Sequence, residues 1–376
     1  MPDRWRDRHV IDTAVIGVLS VALYATFPPF SDIYRLWRRE AGMGIYGGLG
    51  PGEFEYPPLA ALYFEPLSYL PSSRWAVVVN GLLMVVAAVL VTRLLLSVAG
   101  RPSGRDVDVR MWAMSPALLL FLPINWDVVA VWLALAAVLA LESQRSAVSG
   151  SLLGAGVSLK VFHGALVLPL VPLISGWRNR LRFLGGGLLL VVVSYAAYII
   201  AFPETWRIHL DFAAARDDFE SSLWGVVDWI GGAFGMGLSL DAVNSLSSAA
   251  VLGALVALTL WSWLKRPTLV QAAVLALIAF LLFNKVFKPQ YVLWVLPFLA
   301  WNGSSRPTVR LLEFTAIAHI AVTYFPLPSV IVQIAAAVRS ITLVALAAAT
   351  VRAASQRPHV REPSLPQPGV RGAHDG

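Results

Sequence analysis

The chain has 376 residues, 57% of them hydrophobic and only 14% charged, with a formal net charge of +7. Soluble domains carry about 25% charged residues, so this balance, with apolar runs such as 77–90 and 188–200, excludes a water-soluble globule and reads as a polytopic helical membrane protein. There is no cysteine, which excludes disulfides and thiolate chemistry, and the cations lie mostly in short loops between apolar runs rather than in a separate nucleic-acid-binding domain.

The first element follows "RWRDRH". Its apolar run, roughly 10–27, is long for a signal segment and lacks a small-x-small cleavage site, so it reads as a retained helix. Further helices are expected at about 75–98, 110–123, 126–142, 147–160, 163–176, 182–202, 243–264, 268–283, 290–302, 311–325 and 329–351, an all-α bundle of about twelve crossings spanning 1–352. The Pro- and Arg-rich segment 353–376 reads as a disordered tail. With the N-terminus in the cytoplasm, 19 of the 29 Lys and Arg fall on that side, nine on the other, and Arg339 within the last helix. This is the positive-inside bias, and it places both termini in the cytoplasm of a plasma-membrane protein. Two long loops, about 28–74 and 203–242, then face outside, with short outer turns near 125–127, 160–163 and 284–290. Fourteen tryptophans, with tyrosines near segment ends, fit interfacial belts. The cytoplasmic loops are short and plain, so chemistry is expected on the outer face.

The polar residues there form the candidate site. In "FPPFSDIYRLW", Asp32 either caps a short surface helix or serves as a carboxylate base at the membrane boundary. Arg35, Arg38 and Arg39 share one face of that helix and meet either ordinary headgroups or a specific lipid phosphate. "GEFEYPPL" sets Glu53 and Glu55 beside Tyr56 and two stiffening prolines, where the acids bind sugar hydroxyls, assist a base or are simply solvated. "PINWDVVAVW" puts Asn125 and Asp127 at a helix start, a capping role being the alternative to a functional one. "GVSLKVFHG" places Lys160 at one helix end and His163 at the next helix start; the lysine either snorkels or pairs with an anion. In "FNKVFKPQY", Lys285 and Lys288 are three apart before a proline-started helix, so both can point at one anion, with Gln290 and Tyr291 adding neutral hydrogen-bonding groups. The loop around Asp217, Asp218 and Glu220, with several aromatics, reads as a partly helical cap suited to a sugar. His319 and Arg339 are ionisable groups within late helices. There is no Walker A sequence, dinucleotide-binding glycine pattern or HExxH motif, and the "NGS" at Asn302 falls on the cytoplasmic side.

Five features resemble the GT-C glycosyltransferases: an aspartate shortly after the first helix, "EYPPLAALYFEPLSYLP", "NWD" at a helix start, "GVSLKVFHGALVLPL" and "NKVFKPQYVLWVLPFL". Within that group they are most similar to the actinobacterial branch that uses polyprenyl-phosphate-mannose, from Asp32 to about Tyr291. His163-Gly164 stands where that branch often has a proline. The resemblance implies an inverting transfer from a polyprenyl-phosphate sugar to a glycolipid or cell-envelope glycan. Asp32 would be the general base. Arg35, Lys160, Lys285 and Lys288 would hold the donor phosphate, and Glu53, Glu55, Tyr56, Asn125, Asp127, His163, Gln290 and Tyr291 the sugar and acceptor. No metal and no other cofactor is expected. The rival reading is a transporter or flippase for a lipid-linked sugar, which would spread its polar groups through the membrane depth.

Overall fold

The computed structural model describes residues 2–40, 55–101, 107–203, 206–217, 219, 221–325, 328 and 330–356. Among them the secondary structure is helical, without strands. In chain order the helices are α1 (Pro2–Thr26), α2 (Asp32–Glu40), α3 (Pro58–Ser68), α4 (Ser73–Ala99), α5 (Val109–Ala113), α6 (Pro116–Phe121), α7 (Asp127–Glu142), α8 (Ser146–Leu159), α9 (Gly164–Leu170), α10 (Trp177–Ala201), α11 (Ile208–Ala215), α12 (Leu223–Gly232), α13 (Leu240–Lys265), α14 (Leu269–Phe283), α15 (Val292–Trp301), α16 (Arg306–Tyr324) and α17 (Val330–Ser355).

Among the described residues five segments, 6–26 of α1 and all of α4, α10, α13 and α17, are long and apolar enough to cross a membrane. At 1.5 Å per residue they reach roughly 31–40 Å, against a hydrocarbon core of about 30 Å. Several expected spans prove to be interrupted. The 110–123 stretch breaks at Met114 and Ser115, because Ser115 caps a new helix whose first residue, Pro116, has no N–H to give to the preceding one. The 163–176 stretch is α9 between two single turns of 3₁₀ helix, 161–163 and 171–173. The two loops expected outside carry α2 and α3, and α11 and α12, respectively. The last helix runs on to Ser355, into the start of the segment read as a tail.

The core is built around α15, every residue of which is buried, enclosed by α4, α5, α7 and α14. By contrast α10 and α13 present apolar side chains outward, Leu188, Val192, Leu252 and Leu260 among them. That is unfavourable in water and costs nothing against lipid. The tightest helix pair is α8 with α10. A Cβ added to Gly150 would fall 1.9 Å from the Phe183 carbonyl oxygen, and one on Gly154 2.3 Å from that of Gly187. Glycine is what lets these backbones touch, and small residues are the usual means of close packing where no hydrophobic force separates helix from lipid.

Polar side chains inside the bundle fix the turn between α6 and α7. Asn80 of α4 donates to the carbonyls of Pro123 and Asn125 at 3.3 and 3.2 Å and accepts from the Tyr63 hydroxyl at 2.8 Å. The Tyr24 hydroxyl of α1 donates to the Leu120 carbonyl at 2.6 Å. Asn80 therefore holds the turn directly, Tyr63 of α3 steadies Asn80, and Tyr24 holds the end of α6 just before it; the candidate site grows from that turn.

Candidate active site

Ser31 and Asp32 join α2 to this turn. The Ser31 hydroxyl reaches the Pro123 and Ile124 carbonyls at 3.0 and 2.9 Å, and the Asp32 N–H donates to the Ile124 carbonyl at 2.9 Å. Asp32 opens the helix, and its half-buried carboxylate accepts from Asn125 Nδ2 at 3.3 Å. The other end of the same amide, Asn125 Oδ1, accepts the N–H of Asp127 at 2.8 Å. Asp127 in turn lies 3.0 Å from the Lys160 ammonium, with the two side chains 2% and 9% exposed. Lys160 is presented by a break in the helix. Its backbone is extended, ending α8, and its ammonium sits 5.0, 5.6 and 6.0 Å from the rings of Tyr56, Trp126 and Trp294. A carboxylate and three aromatic faces together compensate a cation taken out of water.

Above this pair opens a chamber of about 550 Å³ lined by Asp32, Arg35, Glu55, Tyr56, Asn125 and Lys160, and on its other side by Arg216, Asp217, Lys288, Gln290, Tyr291 and His319. A second chamber of about 470 Å³ shares Glu55, Tyr56, Lys160, Arg216 and Tyr291 with it. The second is more apolar, running between Phe212, Phe280, Val286 and Trp294 towards Lys285 and Asn244. The structure thus gathers Asp32, Arg35, Glu55, Tyr56, Asn125, Lys160, Lys288, Gln290 and Tyr291 around one space, with Asp127 immediately behind it. Glu53 lies outside the described residues.

Two expected site residues are placed otherwise. His163 is fully buried, with Nδ1 2.8 Å from the Lys160 carbonyl and Nε2 2.8 Å from that of Ala130. It ends an aromatic stack, Tyr291 on Trp294, Trp294 on Phe162 and Phe162 on His163, with centroids 3.8, 4.3 and 4.1 Å apart. A ring held by main chain on both sides, and so close to Gly156 that a Cβ there would lie 2.1 Å from it, braces the Lys160 break and is not among the residues lining either chamber. Lys285 borders the second chamber with its ammonium turned to the protein, 3.1 Å from the Ala214 carbonyl, 2.8 Å from that of Arg216 and 2.5 Å from Asn244 Oδ1.

Arg216, Phe212 and His319 are among the lining residues to which the sequence assigns no role. The first two belong to the loop read as a cap from its acids and aromatics, in which neither residue is singled out. His319 was noticed, and its place at the chamber depends on how α16 packs. Arg339, also noticed, is 2% exposed; its guanidinium stands 4.0 Å from the Phe287 ring centroid and donates to the Ser221 carbonyl. It supports the loop carrying Lys285 and Lys288 from behind. Among the described residues no three His, Asp or Glu side chains are grouped to hold a metal ion.

Chemically, the chamber offers a carboxylate able to take a proton and cations able to steady an anion, in a space that aromatic walls partly shield from water. The profile of glycosyltransferase family 87 matches residues 54–284, more than half of the chain, so the protein belongs to that family. The match covers Glu55 through Asn284 and stops short of Asp32 on one side and Lys288 on the other. No curated protein matches the chain.

Proposed function

Starting from a membrane glycosyltransferase of family 87, we propose that this protein transfers mannose from a polyprenyl-phosphate donor to a glycolipid or cell-envelope glycan, with inversion, at the outer face of the plasma membrane. The single observation that carries the reading is that one chamber combines the Asp32 carboxylate with the cations Arg35, Lys160 and Lys288. Nucleotide sugars are absent outside the membrane, so a lipid-borne sugar phosphate is the donor class suited to such a site. The charge bias of the loops supports a chamber on the outer face and both chain ends in the cytoplasm.

In this reading the acceptor hydroxyl gives its proton to an Asp32 oxygen as its own oxygen bonds to the anomeric carbon. The bond from that carbon to the phosphate oxygen breaks on the opposite face, which inverts the configuration. The electron pair leaves with the polyprenyl phosphate, and Lys160, Lys288 and Arg35 steady the growing charge. Asp127 keeps the Lys160 ammonium paired and aimed before donor arrives. Glu55, Tyr56, Asn125, Gln290 and Tyr291 are placed to contact sugar and acceptor. The leaving group is met by side-chain cations, so no metal is required. Excess chelator is expected to leave transfer unchanged; activity lost to chelator and restored by a divalent ion would overturn that part of the mechanism.

The test is transfer of labelled sugar from polyprenyl-phosphate-mannose in membranes carrying the protein, beside Asp32→Asn. Transfer by the wild type alone supports the assignment. Equal transfer by both moves the base elsewhere, and donor movement across the bilayer without transfer replaces the enzyme with a flippase.

A further inference from the structure

Lys285 poses a problem for any scheme in which each outer lysine grips the donor. An ammonium has three N–H donors, and in this structure the Ala214 carbonyl, the Arg216 carbonyl and Asn244 Oδ1 all lie within hydrogen-bond reach of it. Ala214 belongs to the last turn of α11, and Arg216 is the residue that ends it, with extended backbone. Terminal carbonyls of a helix have no partner within it, and a cation there satisfies them and suits the helix dipole. Asn244 closes the same end from α13, its Nδ2 donating to the Ala214 carbonyl at 3.0 Å.

The fastening extends along the next segment. The Ser221 hydroxyl donates to the Phe287 carbonyl, Trp224 Nε1 donates to the Phe283 carbonyl at 2.8 Å, and Arg339 bonds the Ser221 carbonyl while stacking on Phe287. Residues 214, 216, 221 and 224 are therefore fastened to the loop 283–288. What this fixes at the site is Arg216. Its side chain lies on the wall shared by both chambers, near the Phe212 ring at 5.7 Å, and it is half-buried.

We propose that Lys285 is a positioning residue: it caps α11 and so holds Arg216 at the junction of the polar and apolar chambers, where Arg216 supplies the guanidinium contact to the donor phosphate. The inference rests on the lipid-phosphate reading above. A lipid phosphate must sit where a polar space meets an apolar one, and the wall with Arg216 is that boundary. Arginine presents a fork of N–H groups matched to phosphate oxygens.

The experiment measures binding of a polyprenyl phosphate, the leaving product, to purified protein in detergent, so that the readout is independent of turnover. Wild type, Lys285→Met, Arg216→Gln and the double variant are compared, with thermal unfolding run on each. Arg216→Gln is expected to weaken binding roughly tenfold to a hundredfold, the loss of one charge-assisted contact. Lys285→Met is expected to weaken it by a similar factor, and the double variant no further than Arg216→Gln alone. Effects that multiply in the double variant would show that Lys285 contacts the phosphate itself and would overturn the proposal, as would unaltered binding in Arg216→Gln. If Lys285→Met does not yield folded protein, Asn244→Ala carries the test. It loosens the end of α11 while leaving the ammonium freer to reach an anion, so weaker binding supports positioning and unchanged or tighter binding refutes it. Failure of the wild type to bind a polyprenyl phosphate at all would instead count against the donor class.

Discussion

The two ends of the bundle handle charge in different ways. At the far ends of α4, α7 and α15, Arg101 bonds Glu142 at 2.8 Å, Arg306 clasps the Asp108 carboxylate with two N–H groups, and Ser115 and Arg310 close on the buried Glu313. Each of these carboxylates has its cation in contact, and a hollow there is lined by Asp108, Arg110 and Arg306. At the other end, among the described residues, Lys160 and Asp127 form one such buried pair. Arg35, Arg216 and Lys288 are distributed with Asp32, Glu55 and Asp217 around an open volume large enough for a sugar. The contrast separates charges that serve the fold from charges arranged around a space, and it predicts which substitutions disturb stability and which disturb activity.

The largest expected effect is on chemistry alone. Asp32→Asn keeps size and polarity, so the protein should fold and melt as the wild type does, while transfer falls by about a hundred- to ten-thousandfold, the usual contribution of a positioned base. Next comes the buried pair. Removing one partner strands a charge, and Asp127→Ala should lower unfolding free energy by about 3–5 kcal/mol. A Lys160→Met and Asp127→Leu double variant should recover much of that stability and none of the transfer, which thermal unfolding and a transfer assay on the same preparation would separate. A smaller loss, about 1–3 kcal/mol, is expected for Gly154→Ala, because the added methyl meets a carbonyl oxygen of α10 and the two helices must part. Since α8 ends at Lys160, some transfer should be lost with it.

The smallest effect belongs to the opposite end. Arg306→Gln should cost about 0–1 kcal/mol, the range for an exposed pair, and leave transfer intact. Burial alone would raise the Asp108 carboxyl, but the Arg306 guanidinium, with the backbone N–H groups of Met111 and Arg110, more than offsets it and holds the group below the ordinary carboxylate value. The carboxyl is lowered in the folded state, so its contribution is present above the unfolded value, about 3.9, and is lost as pH falls through the lower folded one. The wild type should therefore lose more stability than Arg306→Gln between pH 5 and pH 3, as about two units of melting data would show.

Much of the chamber could be read in advance because its residues are exceptions in their surroundings. Asp32, Asn125, Lys160, Lys288 and Gln290 are polar groups at the ends of apolar runs, where a membrane protein has little reason to place them unless something polar is bound there. The helix positions were legible from the same runs, although proline and serine broke two of the expected spans into short pieces. What stayed hidden depends on contacts distant in the chain. Nothing in "FNKVFKPQY" says that one lysine turns to carbonyls about 70 positions earlier while its neighbour three residues on faces the chamber. Nothing marks Arg216 apart from other loop cations, and nothing near His163 in the chain shows that the Ala130 carbonyl, 33 positions earlier, is its second partner.

The Asn125 side chain has one further consequence. Its amide touches Asp32 with nitrogen and the start of α7 with oxygen, so a rigid plane a few ångströms wide links the base to the helix that carries Asp127. Motion of either element tilts that plate and is passed to the other. An aspartate of the same shape would set two negative groups face to face in place of a donor and an acceptor, and the smallest isosteric change in the molecule would pry the base away from the turn that holds it.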